Sequence, residues 1–291
     1  MKIAIHGKST GPEAQECIKE LLAIVGSNSA SLIISEAYKA ALNEKLFDVG
    51  DLATFDQSDD LSSFDFLFSL GGDGTILDSI TYARASEIPI VGINLGRLGF
   101  LSTISRTDIS EVMKRLEKKA FRIESRSLIH MDSNQGLFEP FNFGLNEMTI
   151  TKKESSSMIV VHAYVDGSYL NSYWADGLIV ATPTGSTGYS LSCGGPLVHP
   201  SEKNFIITPV SPHNLNVRPM IVSDQSKITF EIEGRSKEFL VSLDSRSVPV
   251  DETVEISLQR EQFEAKLLRF ADSDYFDTLR NKLNWGLDAR N

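Results

Sequence analysis

The run Phe66-Leu67-Phe68-Ser69-Leu70 passes directly into Gly71-Gly72-Asp73-Gly74-Thr75. A continuous apolar run closed by glycines reads as a strand buried on both faces. Strands of that kind belong to parallel sheets covered by helices. The surrounding hundred residues repeat the theme. Lys2–His6, Leu32–Ser35 and Pro89–Asn94 read as strands. Pro12–Val25 places Cys17, Ile18, Leu21, Leu22 and Val25 at three- and four-residue spacings and reads as a helix, as do Glu36–Lys45 and Thr75–Ser86. Strand and helix in alternation predict an α/β domain with a parallel sheet.

The pattern changes after about Leu101. One more helix is expected at Ile109–Lys118. Strand-like segments follow at Arg122–Asp132, Phe141–Thr151, Met158–Val165, Ser168–Ala175, Gly177–Thr182, Lys227–Ile232, Glu238–Ser242 and Thr253–Arg260. Asp166-Gly167 between two of them is a hairpin signal. This part is predicted to be mainly β. Ser273–Trp285, with Ser273 as N-cap and Gly286 as terminator, reads as a closing amphipathic helix.

Size and charge bound the function. The chain has 291 residues, enough for two domains, and 41% apolar residues, enough for two cores. Its 28 basic and 39 acidic side chains give a net charge of −11. That field repels nucleic acid and anionic membranes, so neither is expected as a partner. It leaves open a small anion that feels local groups. Cys17 and Cys193 are too few for a disulfide framework or a zinc cluster, and they fit a reducing compartment. The start, Met1-Lys2-Ile3-Ala4-Ile5-His6, lacks the apolar core of a signal peptide, and no segment has the roughly 18 apolar residues of a membrane span. A cytoplasmic protein is the expectation.

Three segments point to chemistry. Glycines in Gly71–Thr75 let the backbone approach a ligand, and the following helix N-terminus favours phosphate. Asp73 in that loop would repel phosphate unless it holds Mg²⁺ or accepts a proton from an attacking hydroxyl; the bland reading is a helix cap. Asn146-Glu147 beside a strand is ordinarily solvated, yet an amide next to a carboxylate can read a ribose diol or a carboxamide. From Asp176 to Pro196 a buried strand runs into hydroxyl residues and glycines with little to bury, which suit sugars and phosphates; Tyr189 adds a flat stacking face. Gly7-Lys8-Ser9 imitates the end of a P-loop, but Lys2 stands where the first glycine belongs. A basic turn near a nucleotide, or a plain turn, is the remaining choice. The five histidines show no metal-like pairing and are expected to be surface or capped residues. Neither a Gly-x-Gly-x-x-Gly after the first strand nor a nucleophile elbow is found.

Taken together, Gly71–Thr75, Gly92 to Leu101, Asn146-Glu147, Asp176–Pro196, Thr208–His213 and Arg218-Pro219 resemble the NAD kinase family, in family order over roughly residues 1–285. The glycine element alone is shared with lipid kinases and phosphofructokinase-like enzymes; the long threonine-, serine- and glycine-rich block is more specific. The resemblance implies an α/β Rossmann-like N-terminal domain (1–101 plus 270–291) and a β-rich, β-sandwich-like NAD-binding domain (102–269). It implies phosphoryl transfer from ATP to the adenosine-ribose 2′-hydroxyl of NAD⁺ with a divalent ion, Mg²⁺ by expectation and with no protein metal site assigned. Asp73 would accept the proton, and Gly72 and Gly74 would admit phosphate. Asn146 and Glu147 would bind the ribose and adenine side, and Asp176 the nicotinamide part. Thr184, Thr187, Gly188, Tyr189 and Ser192 would line the pocket, with Arg246 as a further contact. A homodimer or homotetramer is implied as well.

Three positions depart from the family's pattern: Gly188 for alanine, Trp174 for an arginine, and Asp244-Ser245-Arg246 for an Asp-Gly-Gln-like turn. The latter two bear on NAD⁺ against NADH preference and on NADPH feedback. The alternatives are a kinase of a lipid or sphingoid hydroxyl, which the polar Thr182–Ser192 block argues against, and a non-catalytic NAD(H) sensor, which would bind NAD⁺ without making NADP⁺.

Overall fold

Strand Lys2–Gly7 lies in register between two parallel neighbours, Ile3 opposite Leu32 on one side and opposite Phe66 on the other. The computed structural model describes residues 1–27, 31–96, 99–105, 109–153, 158–234, 238–271 and 274–285. Arg97, Leu98, Ser273, Gly286 and the side chain of Val25 lie outside them. Two compact units result: Met1–Ser125 with Ala265–Asn291, and Arg126–Glu264.

In the first unit the sheet runs Ala53–Phe55, Ser31–Ser35, Lys2–Gly7, Phe66–Leu70, Ile90–Asn94, Ala265–Phe270, Phe121–Arg126, with Ile104–Ser105 also paired to Ile90–Asn94. The first five strands are mutually parallel and ordered 3-2-1-4-5 along the chain, the Rossmann-like arrangement. All five residues of Phe66–Leu70 and of Ile90–Asn94 are buried, as both-face burial requires. Helix Ile109–Glu117 adds Ile109, Val112, Met113 and Leu116 to the core built on Ile3, Ile5 and Phe68. The unit therefore runs on to residue 125, whereas the sequence expectation divided the chain at 101/102 and 269/270.

The second unit is a sandwich of two six-stranded antiparallel sheets. One runs Met220–Ser223, Asn204–Val210, Gly177–Ala181, Glu147–Lys152, Phe239–Leu243, Arg246–Val250; the other runs Ser168–Ala175, Ile159–Val165, Ile228–Gly234, Ile256–Arg260, Ile129–Ser133, Phe143–Gly144. Met148, Val180, Phe205 and Val241 from the first meet Met131, Val161, Phe230 and Leu258 from the second in one core. Two expected strands are corrected. Arg122–Asp132 is two strands, Phe121–Arg126 and Ile129–Ser133, in different sheets. Phe141–Thr151 likewise divides into Phe143–Gly144 and Glu147–Lys152, because the amides between them leave the ladder and donate to Asp244. The closing helix Tyr275–Leu283 takes Asp274 as its N-cap.

Candidate active site

Gly71 ends its strand at φ +157°, and a Cβ there would lie 2.1 Å from Thr75 Oγ1, so only glycine allows this turn into helix Asp73–Ala83. Gly72 caps that helix without a side-chain acceptor. A Cβ at Gly72 or Gly74 would meet nothing among the described residues within 4 Å, so space is open beside the helix N-terminus among them. Asp73 is no N-cap. Its Oδ2 accepts from Phe100 N–H at 2.8 Å; its Oδ1 accepts from Leu101 N–H at 3.0 Å, Ser102 N–H at 2.9 Å and the Ser102 hydroxyl at 3.1 Å. Oδ1 is thus saturated, and Oδ2 keeps the greater capacity for a further proton. Gly99 permits the approach: a Cβ there would fall 1.8 Å from Oδ1. Arg269, buried, braces the same loop from behind through Leu101 O at 2.7 Å and Thr103 Oγ1 at 3.2 Å, with Glu124 as its ion partner at 3.3 Å.

In the second unit Asn146-Glu147 opens strand Glu147–Lys152 where the chain crosses between sheets. Asp244, at φ +53° in the turn between Phe239–Leu243 and Arg246–Val250, accepts from Leu145 N–H at 2.8 Å, Asn146 N–H at 2.7 Å and Glu147 N–H at 3.3 Å. The hydroxyl-rich block folds back onto this crossing. Thr182 N–H donates to Asn146 O at 2.8 Å and the Thr182 hydroxyl to Leu145 O at 2.5 Å, while Gly185 N–H donates to Thr182 Oγ1 at 3.1 Å. The turn Thr184–Thr187 and short helix Tyr189–Ser192 follow, and Tyr189 N–H donates to the Glu147 carboxyl.

Glu147 is the unusual group. Its Oε2 is buried with no hydrogen-bond partner among the described residues, and a Cβ at Gly188 would be 2.9 Å from it. Burial, then the neighbouring Asp244 charge, push its carboxyl up to about 8. Burial also pushes Asp244 up, but three amides and Arg246 oppose that, where Glu147 has one amide. Both carboxyls of this buried pair are thus pushed up, and Glu147, with one amide against the three at Asp244, keeps its proton near neutral pH.

The structure thus gathers Asn146, Glu147, Thr184, Thr187, Gly188 and Tyr189, with Ser192 exposed on the same short helix. Asp176 lies at the far end of the strand pair: Glu147 is opposite Ala181 and Thr151 opposite Gly177. Asp176 adds, after burial and Cys193, to what pushes the Tyr189 phenol up. Its carboxylate is 2.6 Å from Lys152 Nζ. Arg246 turns its guanidinium to the carbonyls of Phe141 and Phe143 and stacks over Phe138 at 5.6 Å. Ser186 and Ser190 are internal, bonded to Val198 and Thr208. His6, expected at the surface or as a cap, is 2% exposed and hydrogen-bonded through both ring nitrogens. Sequence reasoning missed Ser102, Arg269, Lys152 and the role of Asp244. Only Asp244 carried a signal, an acidic residue in a turn between two strand-like runs. Among the described residues no group of three or more His, Cys, Asp or Glu is placed to hold a metal.

A Rossmann-like unit whose glycine loop presents a carboxylate, together with a β-sandwich unit presenting buried acid and hydroxyls, defines a nucleotide-dependent phosphotransferase. The ATP-NAD kinase N-terminal domain profile matches residues 13–121, and the C-terminal domain profile matches residues 145–270. An NAD kinase of Cytophaga hutchinsonii is 48% identical over 292 residues, covering all of both chains. An Archaeoglobus fulgidus NAD kinase solved in complex with ATP superposes with TM-score 0.74 at 29% identity, covering 98% of this chain and 99% of that one. Yeast NADH kinase, solved with NADH, shares the fold at TM-score 0.84 and 24% identity, over 99% of this chain and 89% of that one. The chain belongs to the ATP-NAD kinase family.

Proposed function

We propose that this protein makes NADP⁺ by moving the γ-phosphoryl group of ATP to the 2′-hydroxyl of the adenosine ribose of NAD⁺. The 2′-oxygen bonds to Pγ as the bond from Pγ to the bridging oxygen breaks, ADP leaves, and the hydroxyl proton passes to Asp73. The carrying observation is the Asp73 carboxylate, fixed by four donors with Oδ2 the less occupied oxygen. A positioned acceptor is what a weakly nucleophilic hydroxyl needs in such a transfer. Gly72 and Gly74 admit phosphate to the open helix N-terminus.

Asn146 and Glu147 bind the ribose and adenine side; the buried, unpartnered Glu147 Oε2 supports that role, since such an atom wants a ligand hydroxyl. Asp176 meets the nicotinamide part. Thr184, Thr187, Gly188, Tyr189 and Ser192 line the dinucleotide site, and Arg246 supports it through the Asp244 turn. Kinase chemistry of this family needs a divalent metal, Mg²⁺ in this proposal. The donors around Asp73 are N–H and hydroxyl groups rather than a cage of ligating oxygens. That set fits an ion carried on the substrate phosphates, where it would neutralise phosphate charge. Exposed Met220 and Ile221 on an edge strand support a homodimer or homotetramer. No helix among the described residues is long and apolar enough to cross a membrane, and residence in the cytoplasm belongs to the same proposal.

The test is incubation with Mg-ATP and NAD⁺, reading NADP⁺ with an NADP-specific dehydrogenase. NADP⁺ formation is expected. Measurable NAD⁺ binding without any NADP⁺ would replace the enzyme with a sensor.

A further inference from the structure

The sheet order of the first unit reverses between Lys2–Gly7 and Phe66–Leu70, whose ends are in register at Gly7 opposite Leu70. In open α/β sheets the ligand crevice lies beyond the carboxyl ends of the strands at such a reversal. The two loops that leave this point are Lys8–Gly11 and Gly71-Gly72. The second is the glycine loop already described. The first carries a cation.

Lys8 Nζ lies 3.2 Å from Asp78 Oδ1, with the lysine side chain 54% exposed. Asp78 stands four residues after Gly74 on the same helix, so the two share a face one turn apart. Among the described residues nothing lies within 4 Å of a Cβ at Gly74, which leaves that face open towards the helix N-terminus. The ammonium therefore rests about one helical turn, roughly 5 Å, below open space.

Lys8 is held by built structure. Asp78 Oδ2 is 2.9 Å from His6 Nε2, and His6 Nδ1 is 2.8 Å from Ser35 Oγ. Ser35 and His6 are buried, and the Tyr82 ring packs on the imidazole at a centroid distance of 4.5 Å. With Nε2–H donating to Asp78, the Ser35 hydroxyl donates to Nδ1, and every polar atom of the relay is matched. The loop itself is anchored: the Tyr38 hydroxyl donates to Ser9 O at 2.8 Å, and Gln15 Nε2 to Thr10 O at 3.0 Å. Burial pushes the Asp78 carboxyl up, but His6 and Lys8 more than offset it and hold it below the usual range.

We propose that Lys8 is the cation that receives the phosphates of the donor nucleotide, and that Asp78, kept in place by His6 and Ser35, is its resting position. The assignment rests on the kinase reading above and deepens it by naming a donor-side residue. A triphosphate carries several charges where Asp78 carries one, so it draws the flexible ammonium upward. Asp78 is not stranded when Lys8 leaves, because His6 keeps its other oxygen. Charge on the departing ADP oxygens then meets a positive side chain, the stabilisation phosphoryl transfer requires.

The experiment compares wild type, Lys8→Met, Lys8→Arg, Asp78→Asn and the Lys8→Met/Asp78→Asn double variant of the full chain. It reads kcat, KM for ATP and KM for NAD⁺, with Mg-ATP affinity by calorimetry as a readout independent of turnover. Lys8→Met is expected to weaken ATP by tenfold or more in KM and in calorimetric affinity. KM for NAD⁺ and the melting temperature should stay unchanged, and Lys8→Arg should recover most of the loss. Asp78→Asn is expected to leave ATP affinity unchanged or tighter, because it removes the anion that competes for the ammonium, and the double variant should match Lys8→Met alone, since both act through one ammonium. ATP parameters of Lys8→Met within twofold of wild type, or a loss falling equally on NAD⁺, would overturn the Lys8 assignment. A loss of ATP affinity on Asp78→Asn, in the wild-type or the Lys8→Met background, would overturn the resting-position role of Asp78. Wild type that binds ATP but forms no NADP⁺ would overturn the kinase reading instead, while the calorimetric comparison still decides Lys8.

Discussion

Glu147 presents its unpartnered Oε2 to Gly188, so close that a Cβ at 188 would stand 2.9 Å away. Burial against Asp244 holds the Glu147 carboxyl up at about 8, against an ordinary value of 4.5. Below 4.5 the group is protonated both folded and unfolded. Between 4.5 and about 8 the unfolded chain ionises it while the folded chain keeps the proton. The folded state binds more protons in that window, so its stability falls as pH rises through it. Urea midpoints at pH 5 and pH 8.5 should show wild type losing more stability than Glu147→Gln. Equal losses in the two proteins would mean that Glu147 does not keep its proton.

The same crossing makes two neighbouring glycines respond very differently to alanine. At Gly185 the new methyl would lie 2.1 Å from the backbone oxygen of Asn146, and backbone cannot step aside. At Gly188 its shortest contact is the far end of the Glu147 side chain, with the Gly185 backbone oxygen at a milder 3.2 Å. Gly185→Ala is expected to cost about 3 kcal/mol or fail to fold, at the upper end of overpacking penalties. Gly188→Ala should fold normally and raise KM for NAD⁺ a few-fold by displacing the carboxyl. Thermal melts with steady-state kinetics check both, and equal melting temperatures for the two variants would contradict the geometry.

What was legible in the sequence is what depends on near neighbours. Phe66–Leu70 reads correctly because both its faces are apolar, and Asp166-Gly167 reads as a hairpin because both residues take positive φ. Asn204–Val210 is a strand outside the expected set. Its Pro209 argues against a central strand, yet the outer neighbour pairs only with residues 204–207 and leaves the proline at a free edge. Glycines and hydroxyls of the site were likewise visible as composition. Their organisers were not. Asp244 meets Leu145 and Asn146 across about a hundred residues, Arg269 meets Leu101 across 168, and Ser102 meets Asp73 across 29. No periodicity within a window reports a partner that far away, so the candidate groups are visible in the sequence while the scaffold that holds them is not.

Asp73 holds the Phe100–Ser102 loop and, in the proposed reaction, accepts the proton; its amide variant separates the two. Asn retains one acceptor oxygen and turns an NH₂ towards backbone N–H groups that the carboxylate now satisfies. Asp73→Asn is therefore expected to lose about 1–3 kcal/mol of stability as well as its proton acceptor. Turnover should fall about 10²–10⁴-fold, the usual worth of a general base, with NAD⁺ affinity within threefold of wild type. Ser102→Ala removes only the hydroxyl donor at 3.1 Å and serves as the folded control, with turnover reduced a few-fold. Denaturant titration, dinucleotide binding and the NADP⁺ assay read the three quantities separately. Asp73→Asn turning over within a few-fold of wild type would remove the proton-acceptor role.

Lys152 neutralises the charge of Asp176. The two lie 2.6 Å apart, each partly exposed, so the carboxylate is neutralised by an ammonium at contact distance. The oxidised nicotinamide ring is cationic and the reduced ring neutral. If Asp176 meets that ring, as proposed, its net field decides how strongly the two redox forms are told apart. A neutralised Asp176 discriminates little. Lys152→Met frees a negative charge that attracts the cation and does nothing for the neutral ring. At an effective dielectric constant near 20, one uncompensated charge at several ångströms is worth on the order of 1–2 kcal/mol after screening, or about tenfold. The expected result is a rise of three- to tenfold in the ratio of kcat/KM for NAD⁺ to that for NADH, carried mainly by the NAD⁺ term. Lys152→Arg should hold the ratio at the wild-type value, because it keeps the positive charge. An unchanged ratio in Lys152→Met would place the nicotinamide away from Asp176, and a fall in the ratio would mean that Lys152, rather than Asp176, faces the ring.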